Sequence, residues 1–199
     1  MLRISGGGSP TIRVNLGEVM QYWEGKTVNL RAMEPSDAET IFDWHRDSEL
    51  GRYMDFLTPP QSLESIKDYA EKMSLKKLED DQFFWMIDDK AGDTVGHIDT
   101  RCNVRHGNFE YGVSISSKHK RKGYAAEAIM TIVDYYFLHL RYHKVTAGVH
   151  SDNKASIRLH EVLGFKLEGR IREMVFTHGE YVDVLYYGLT SEEYKLRKT

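Results

Sequence analysis

Between residues 109 and 150 the apolar pattern changes period twice, and this stretch limits the available folds more than any other. FEYGVSIS (109–116) reads as a strand, with Tyr111, Val113 and Ile115 on one face and Glu110, Gly112 and Ser114 on the other. From about Gly123 to about His139 the spacing is helical, and Ala125, Ile129, Ile132, Val133 and Tyr136 share a side. KVTAGVH (144–150) is strand-like again. A strand, a helix and a strand in this order predict a parallel, right-handed crossover with the helix packed on the sheet.

Antiparallel elements are expected around that unit. TVNLRAM (27–33) alternates as a half-buried strand does. A helix follows Pro35, with Ser36 or Asp37 as its cap, and a second begins at Ser62, whose Leu63, Ile66, Tyr69 or Ala70, and Met73 fall on one face. Strands at 82–89 and 94–104 are joined by a turn at Lys90-Ala91-Gly92-Asp93, and a turn at 105–108 leads into FEYGVSIS, giving a meander. A helix from Asn153 stops at Gly164, and a hairpin turning at His178-Gly179 completes the chain. The expectation is one α/β (α+β) domain: a mixed, mostly antiparallel sheet of about seven strands, a central βαβ unit and about four helices. Residues 1–26 are expected to be a flexible or non-native extension, because Gly6-Gly7-Gly8-Ser9-Pro10 resists regular structure. Residues 27–194 form the domain and 195–199 a tail.

Composition removes several classes of function. Of 199 residues 41% are hydrophobic and 12% aromatic, enough for a packed core. A net charge of -3 argues against a general nucleic-acid binder. Cys102 is the only cysteine, so no intrachain disulfide forms and a reducing, cytoplasmic setting is expected. No apolar run approaches the roughly 18 residues of a membrane span.

Against this mildly acidic background, Lys118, His119, Lys120, Arg121 and Lys122 crowd the start of a helix. The helix dipole already makes that end positive, so the charges are either simply solvated or face an anion. Free N–H groups of the first turn, the bare backbone of Gly123 and the three consecutive cations Lys120, Arg121 and Lys122 together suit a phosphate or pyrophosphate. The spacing is neither that of a P-loop nor that of a dinucleotide-binding turn.

KRKGYAAEA (120–128) resembles the Gln/Arg-x-x-Gly-x-Gly/Ala signature of the GNAT N-acetyltransferases, with Lys120, Gly123 and Ala125 at its three positions. DNKASIRLHEVLGF resembles the family's Asn-x-x-Ser/Ala…Leu-Gly-Phe segment, and HGEYVDVLYYGL its closing hairpin. The likeness spans about 27–194 and is nearest to the ribosomal-protein and spermidine (diamine) N-acetyltransferases. It implies acetyl-coenzyme A as cosubstrate and direct attack by a primary amine, on a small molecule or a protein N-terminus, in a ternary complex. Lys120, Arg121, Lys122, Gly123, Tyr124 and Ala125 would hold the pyrophosphate. Val113, Ser114 and Ile115 would bond the pantetheine arm from a splayed strand, with Asn153 and Ser156 also at the coenzyme. Glu110 and Glu173 are candidate bases; Val175 stands where the ribosomal-protein subgroup has its glutamate. His160 occupies the place of a tyrosine acid, and Ser156 is the other acid candidate. His97 and His150 are weaker candidates, and Asp55, Glu173 and Glu180 would attract a cationic acceptor. No metal is expected, since His139 and His143 lack the accompanying glutamate. A homo-oligomer fits the reading; a nucleic-acid or membrane partner does not. The same residues also suit a non-catalytic acyl-coenzyme A-binding module and, less well, a nucleic-acid-binding domain.

Overall fold

A single mixed sheet carries β1 (Val28–Arg31), β2 (Phe84–Asp89), β3 (Thr94–Asn103), β4 (Asn108–Ile115), β5 (Lys144–His150), β6 (Lys166–Thr177) and β7 (Glu180–Thr190) in the order β1-β2-β3-β4-β5-β7-β6. The structure is a computed structural model that describes residues 22–47 and 59–198. Most of the expected extension, and Asp55 with its loop, lie outside the described residues. Neighbouring strands are antiparallel except β4 and β5, which run parallel on either side of helix α3 (Tyr124–Leu138). The expected parallel strand–helix–strand unit and the β2–β3–β4 meander are both present.

Helices cover both faces of the sheet. α3 and α4 (Lys154–Leu163) lie on one, where Ile129, Ile132 and Tyr136 pack against Ile98, Phe109 and Val145. α1 (Ala38–His45) and α2 (Leu63–Ser74) lie on the other, with Ile41, Ile66 and Ala70 gathered on Met86. β2 shows the division directly: Trp85 and Ile87 belong to the first core and Met86 to the second, as strand alternation requires. Among the described residues no helix is long and apolar enough to cross a membrane.

Helix starts differ in how well the sequence announces them. Ser62 caps α2, its hydroxyl accepting the Ser65 N–H at 3.1 Å. Asp37 does not cap α1. Its carboxylate turns back to the Arg31 guanidinium at 2.7 and 2.8 Å and to the Glu34 N–H at 2.8 Å. A bidentate charged partner outcompetes a backbone amide. A fifth helix, α5 (Ser191–Lys198), occupies most of what was expected to be a tail. Thr190 and Glu193 bond each other's N–H groups at its start, and Tyr194 is buried with its hydroxyl donating to Asp134.

The edge strand β6 is exposed along nearly its whole length, and its register against β7 shifts twice, between Leu167 and Gly169 and between Ile171 and Val175.

One carboxylate ties the entry of the chain to the crossover helix. Glu127, in the first turn of α3, accepts the N–H groups of Lys26, Thr27 and Val28 and the Thr27 hydroxyl. Burial pushes this carboxyl up, but the Thr27 hydroxyl and the backbone donors outweigh it and hold it below the ordinary glutamate range. Glu127→Gln keeps the shape and loses the charge, so it should lower unfolding free energy by about 1–3 kcal/mol, read from urea denaturation at neutral pH.

Candidate active site

β4 and β5 pair only through Asn108–Lys144, Phe109–Val145 and Glu110–Thr146, and then part. Each is held by its outer neighbour: β4 pairs with β3 along its length, and β5 with β7 from Lys144 to His150. The Ser116 N–H bonds the Val95 carbonyl at 2.8 Å, which fixes the parity of the β3–β4 ladder. Residues 110, 112 and 114 address their backbone to β3, while 111, 113 and 115 turn theirs toward β5. Beyond Glu110 that side has no ladder partner. A cleft of about 380 Å³ opens in the gap, walled by β3, β4, β5, β7, the start of α4 and the irregular part of β6.

The side of the cleft toward α1 and α2 is polar. His97, Asp99 and Arg101 of β3 stand opposite Ser114, Gly112 and Glu110 of β4. Glu110 is exposed at the gap, with the Thr146 hydroxyl 3.4 Å from its Oε1. A Cβ on Gly112 would lie 3.0 Å from Asp99 Oδ1, so this glycine keeps the floor open beside a carboxylate. His97 stacks on Phe84 at 5.2 Å and 13°. Burial pushes its pKa down to about 4, with repulsion from His45 adding to the effect, so the ring is neutral near pH 7.

The side toward α3 and α4 is nearly dry. His160 is 2% exposed and Tyr111 6%. His160 Nε2 lies 2.7 Å from the Tyr111 hydroxyl, and its Nδ1 lies 2.7 Å from the Ser156 carbonyl. Tyr111 and Tyr187 both stack on the imidazole. Burial lowers the His160 pKa, against the opposing pull of the Ser156 carbonyl. Asn153 caps α4, its side-chain oxygen accepting the Ser156 N–H at 3.1 Å. Asn153, Ser156, His160 and Tyr111 all line the cleft.

Past the end of β4, a 3-10 turn (Ser117–His119) leads to the start of α3. Arg121 has φ 66° and Gly123, the N-cap, φ 84°; no side chain caps the helix. The Glu127 N–H returns to the Gly123 carbonyl, so the donors ahead of it in the first turn are the ones without helical acceptors. Arg121, Lys122 and Gly123 are exposed there, nothing lies within 4 Å of where a Gly123 Cβ would stand, and the buried Ser117 hydroxyl has no partner among the described residues. The Tyr124 hydroxyl donates to Asp89 at 3.2 Å, bracing this corner against the β2–β3 turn.

A splayed parallel pair followed by an uncapped, cationic helix start agrees with the comparison to known proteins. Residues 27–166 match the Acetyltransferase (GNAT) domain. The chain belongs to the GNAT acetyltransferase family. It is 39% identical over 176 residues, 88% of this chain and 96% of the relative, to the SPbeta prophage-derived uncharacterized N-acetyltransferase YokL of Bacillus subtilis. It is 28% identical over 159 residues, 79% and 89% of the two chains, to a spermidine N(1)-acetyltransferase of Vibrio cholerae. A crystal structure of spermidine N-acetyltransferase from Vibrio cholerae in complex with CoA and spermine superposes with a TM-score of 0.74 at 24% identity, covering 86% of this chain and 99% of that one.

Within this GNAT domain the residues singled out in the sequence fall into three groups. Glu110, Val113, Ser114, Asn153, Ser156 and His160 line the cleft. Val113 offers backbone to the gap, whereas Ser114 turns its backbone to β3. Ile115 lies beyond the lining. Lys120, Arg121, Lys122, Gly123, Tyr124 and Ala125 form the neighbouring corner rather than a wall of the cleft. Glu173 is at neither place: it is exposed, sits in the second irregularity of β6 with φ 52°, and gives its N–H to Asp183 at 2.8 Å, while Met174 and Val175 line the cleft instead. His97 and His150 do line it. Tyr111, Asp99 and Arg101 were missed; for Asp99 and Arg101 the available signal was strand alternation opposite Gly112 and Glu110. His97 and His160 both bind protons less readily folded than unfolded. Stability should therefore fall as pH drops from about 6.5 toward about 4, seen as a lower urea midpoint, and His97→Phe should flatten that slope.

Proposed function

We propose that the protein transfers the acetyl group of acetyl-coenzyme A to a primary amine, by direct attack with both substrates bound. The observation that carries this reading is the parting of β4 from β5 immediately before an uncapped helix start. It leaves strand-edge donors and acceptors for a pantetheine arm and unfilled helix donors for a pyrophosphate. The Ser117 hydroxyl, without a partner among the described residues, belongs to the turn that joins β4 to α3.

In this reading Lys120, Arg121, Lys122 and the N–H groups at Tyr124 and Ala125 hold the pyrophosphate, and Gly123 lets it approach. The gap-facing backbone of Tyr111, Val113 and Ile115 bonds the pantetheine amides, and one of these N–H groups takes the developing oxyanion of the thioester. The amine enters from the α1–α2 side, where Asp99 and Glu110 attract an ammonium and Glu110 removes its first proton. Glu110 is favoured over Glu173 because it stands in the gap. Asn153 and Ser156 shape the α4 side of the cleft beside the sulfur. A relative that is a spermidine N-acetyltransferase supports a small cationic amine as acceptor.

The test is calorimetry with coenzyme A, followed by an acetylation screen over spermidine, free amino acids and N-terminal peptides. Coenzyme A should bind, and at least one amine class should turn over. Glu110→Gln should lower kcat by about 10²-fold with coenzyme A affinity unchanged. Absence of binding at millimolar coenzyme A overturns the reading; binding without turnover across the whole panel reduces it to an acyl-coenzyme A-binding module. Gly123→Ala, which puts a methyl at φ 84°, should cost about 1–2 kcal/mol of stability and weaken coenzyme A binding in the same calorimetric experiment.

A further inference from the structure

Acetylating an ammonium removes two protons from nitrogen. One leaves before attack. The other must leave the adduct as the C–S bond breaks, while the departing sulfur needs a proton. Glu110 is suited to the first. Strand alternation puts Tyr111 on the opposite face of β4, at the same gap, bonded to a histidine.

The hydrogen-bond geometry fixes the state of that pair. The Ser156 carbonyl, 2.7 Å from Nδ1, accepts only, so Nδ1 carries the imidazole proton. Nε2 is then an acceptor, and the Tyr111 hydroxyl donates to it across 2.7 Å. The phenolic proton is committed to His160, so Tyr111 Oη keeps only lone pairs for any further partner, and both residues are among those lining the cleft. Burial disfavours both a free imidazolium and a free phenolate, so neither residue alone is a standing acid near neutral pH.

We propose that Tyr111 and His160 form a proton shuttle that moves the second amine proton to the sulfur. This rests on the acetyl-transfer reading above. In the adduct the nitrogen is positively charged and the carbon still holds sulfur. The N–H proton passes to Tyr111 Oη as the Tyr111 proton passes to His160 Nε2. As the C–S bond breaks its electron pair stays on sulfur. Nε2 then returns its proton to Oη, and Oη gives one to the sulfur. One proton has moved from nitrogen to sulfur, both residues are restored, and no further reactant is consumed. Tyr111 is the catalytic residue; His160, acting through it, is a positioning residue and transient proton holder. The free thiol of the product can donate to the same lone pairs on Oη.

That last contact gives a test that needs no amine. Wild type and Tyr111→Phe are titrated calorimetrically with coenzyme A and with desulfo-coenzyme A, and their turnover is compared on the amine found in the screen. Wild type should prefer coenzyme A by about threefold to tenfold, the worth of one hydrogen bond. Tyr111→Phe should lose that preference and about 10²-fold in kcat, while binding desulfo-coenzyme A as wild type does. His160→Gln, which leaves the phenol in place, should keep the preference but lose kcat; it also serves if Tyr111→Phe does not fold. Coenzyme A binding with an unchanged preference and unchanged kcat in Tyr111→Phe overturns the shuttle and leaves the acetyl-transfer reading standing. Failure of wild type to bind coenzyme A overturns both.

Discussion

The site depends on where one hydrogen-bonded ladder ends. Three residue pairs join β4 to β5, and the remaining length of each strand is secured from outside, by β3 and by β7. A buried peptide group without a partner costs about 1–3 kcal/mol, so an interior sheet holds such a gap only if something on either side keeps the strands apart. Outer pairing does so here. The opening passes through the sheet, so its two mouths meet different surroundings: a polar one under α1 and α2, and a nearly dry one under α3 and α4. Because side chains alternate along a strand, adjacent residues of β4 supply chemically unlike groups to the same opening, Glu110 to one side and Tyr111 to the other.

The cationic corner and the entry of the chain share one helical turn. Gly123 begins α3 without a capping side chain, and four residues on Glu127 is occupied by donors from residues 26–28. The acidic side chain of this first turn, which would otherwise sit favourably at the positive end of the helix dipole, is directed to the chain entry and leaves the exposed backbone donors unfilled. The helix is anchored from one side and open on the other.

Much of this was legible in the sequence, for identifiable reasons. The crossover could be read because period 2 gave way to period 3.6 and back between residues 109 and 150, and GNAT membership followed the run Lys120–Ala125 and the Asn153–Phe165 segment. Local chemistry misled where a distant partner intervened. Asp37 reads as a cap until Arg31 is brought beside it by β1. α5 escaped because its pattern carries one deeply buried residue, Tyr194, although Thr190 and Glu193 stand at capping-box spacing. Tyr111 looked like core, and it is buried; only the fold shows that the imidazole against its hydroxyl is His160, 49 residues further along. Glu173 was proposed by nearness to a motif, and the irregularity in β6 turns the chain so that Met174 and Val175 reach the cleft instead.

That irregularity bears on a different property. β6 closes one end of the sheet, and Leu167 and Phe176 along it are more than half exposed. A straight, unpaired strand with such side chains is a template for adding further strands. Here the register breaks twice within twelve residues, and Glu173 takes a left-handed conformation at the second break. Irregularities of this kind bend and twist a strand, so the free row of amides and carbonyls is divided into short runs out of line with one another. The distortion that points Met174 and Val175 inward thus also makes the margin of the molecule a poor seed for fibrous aggregation.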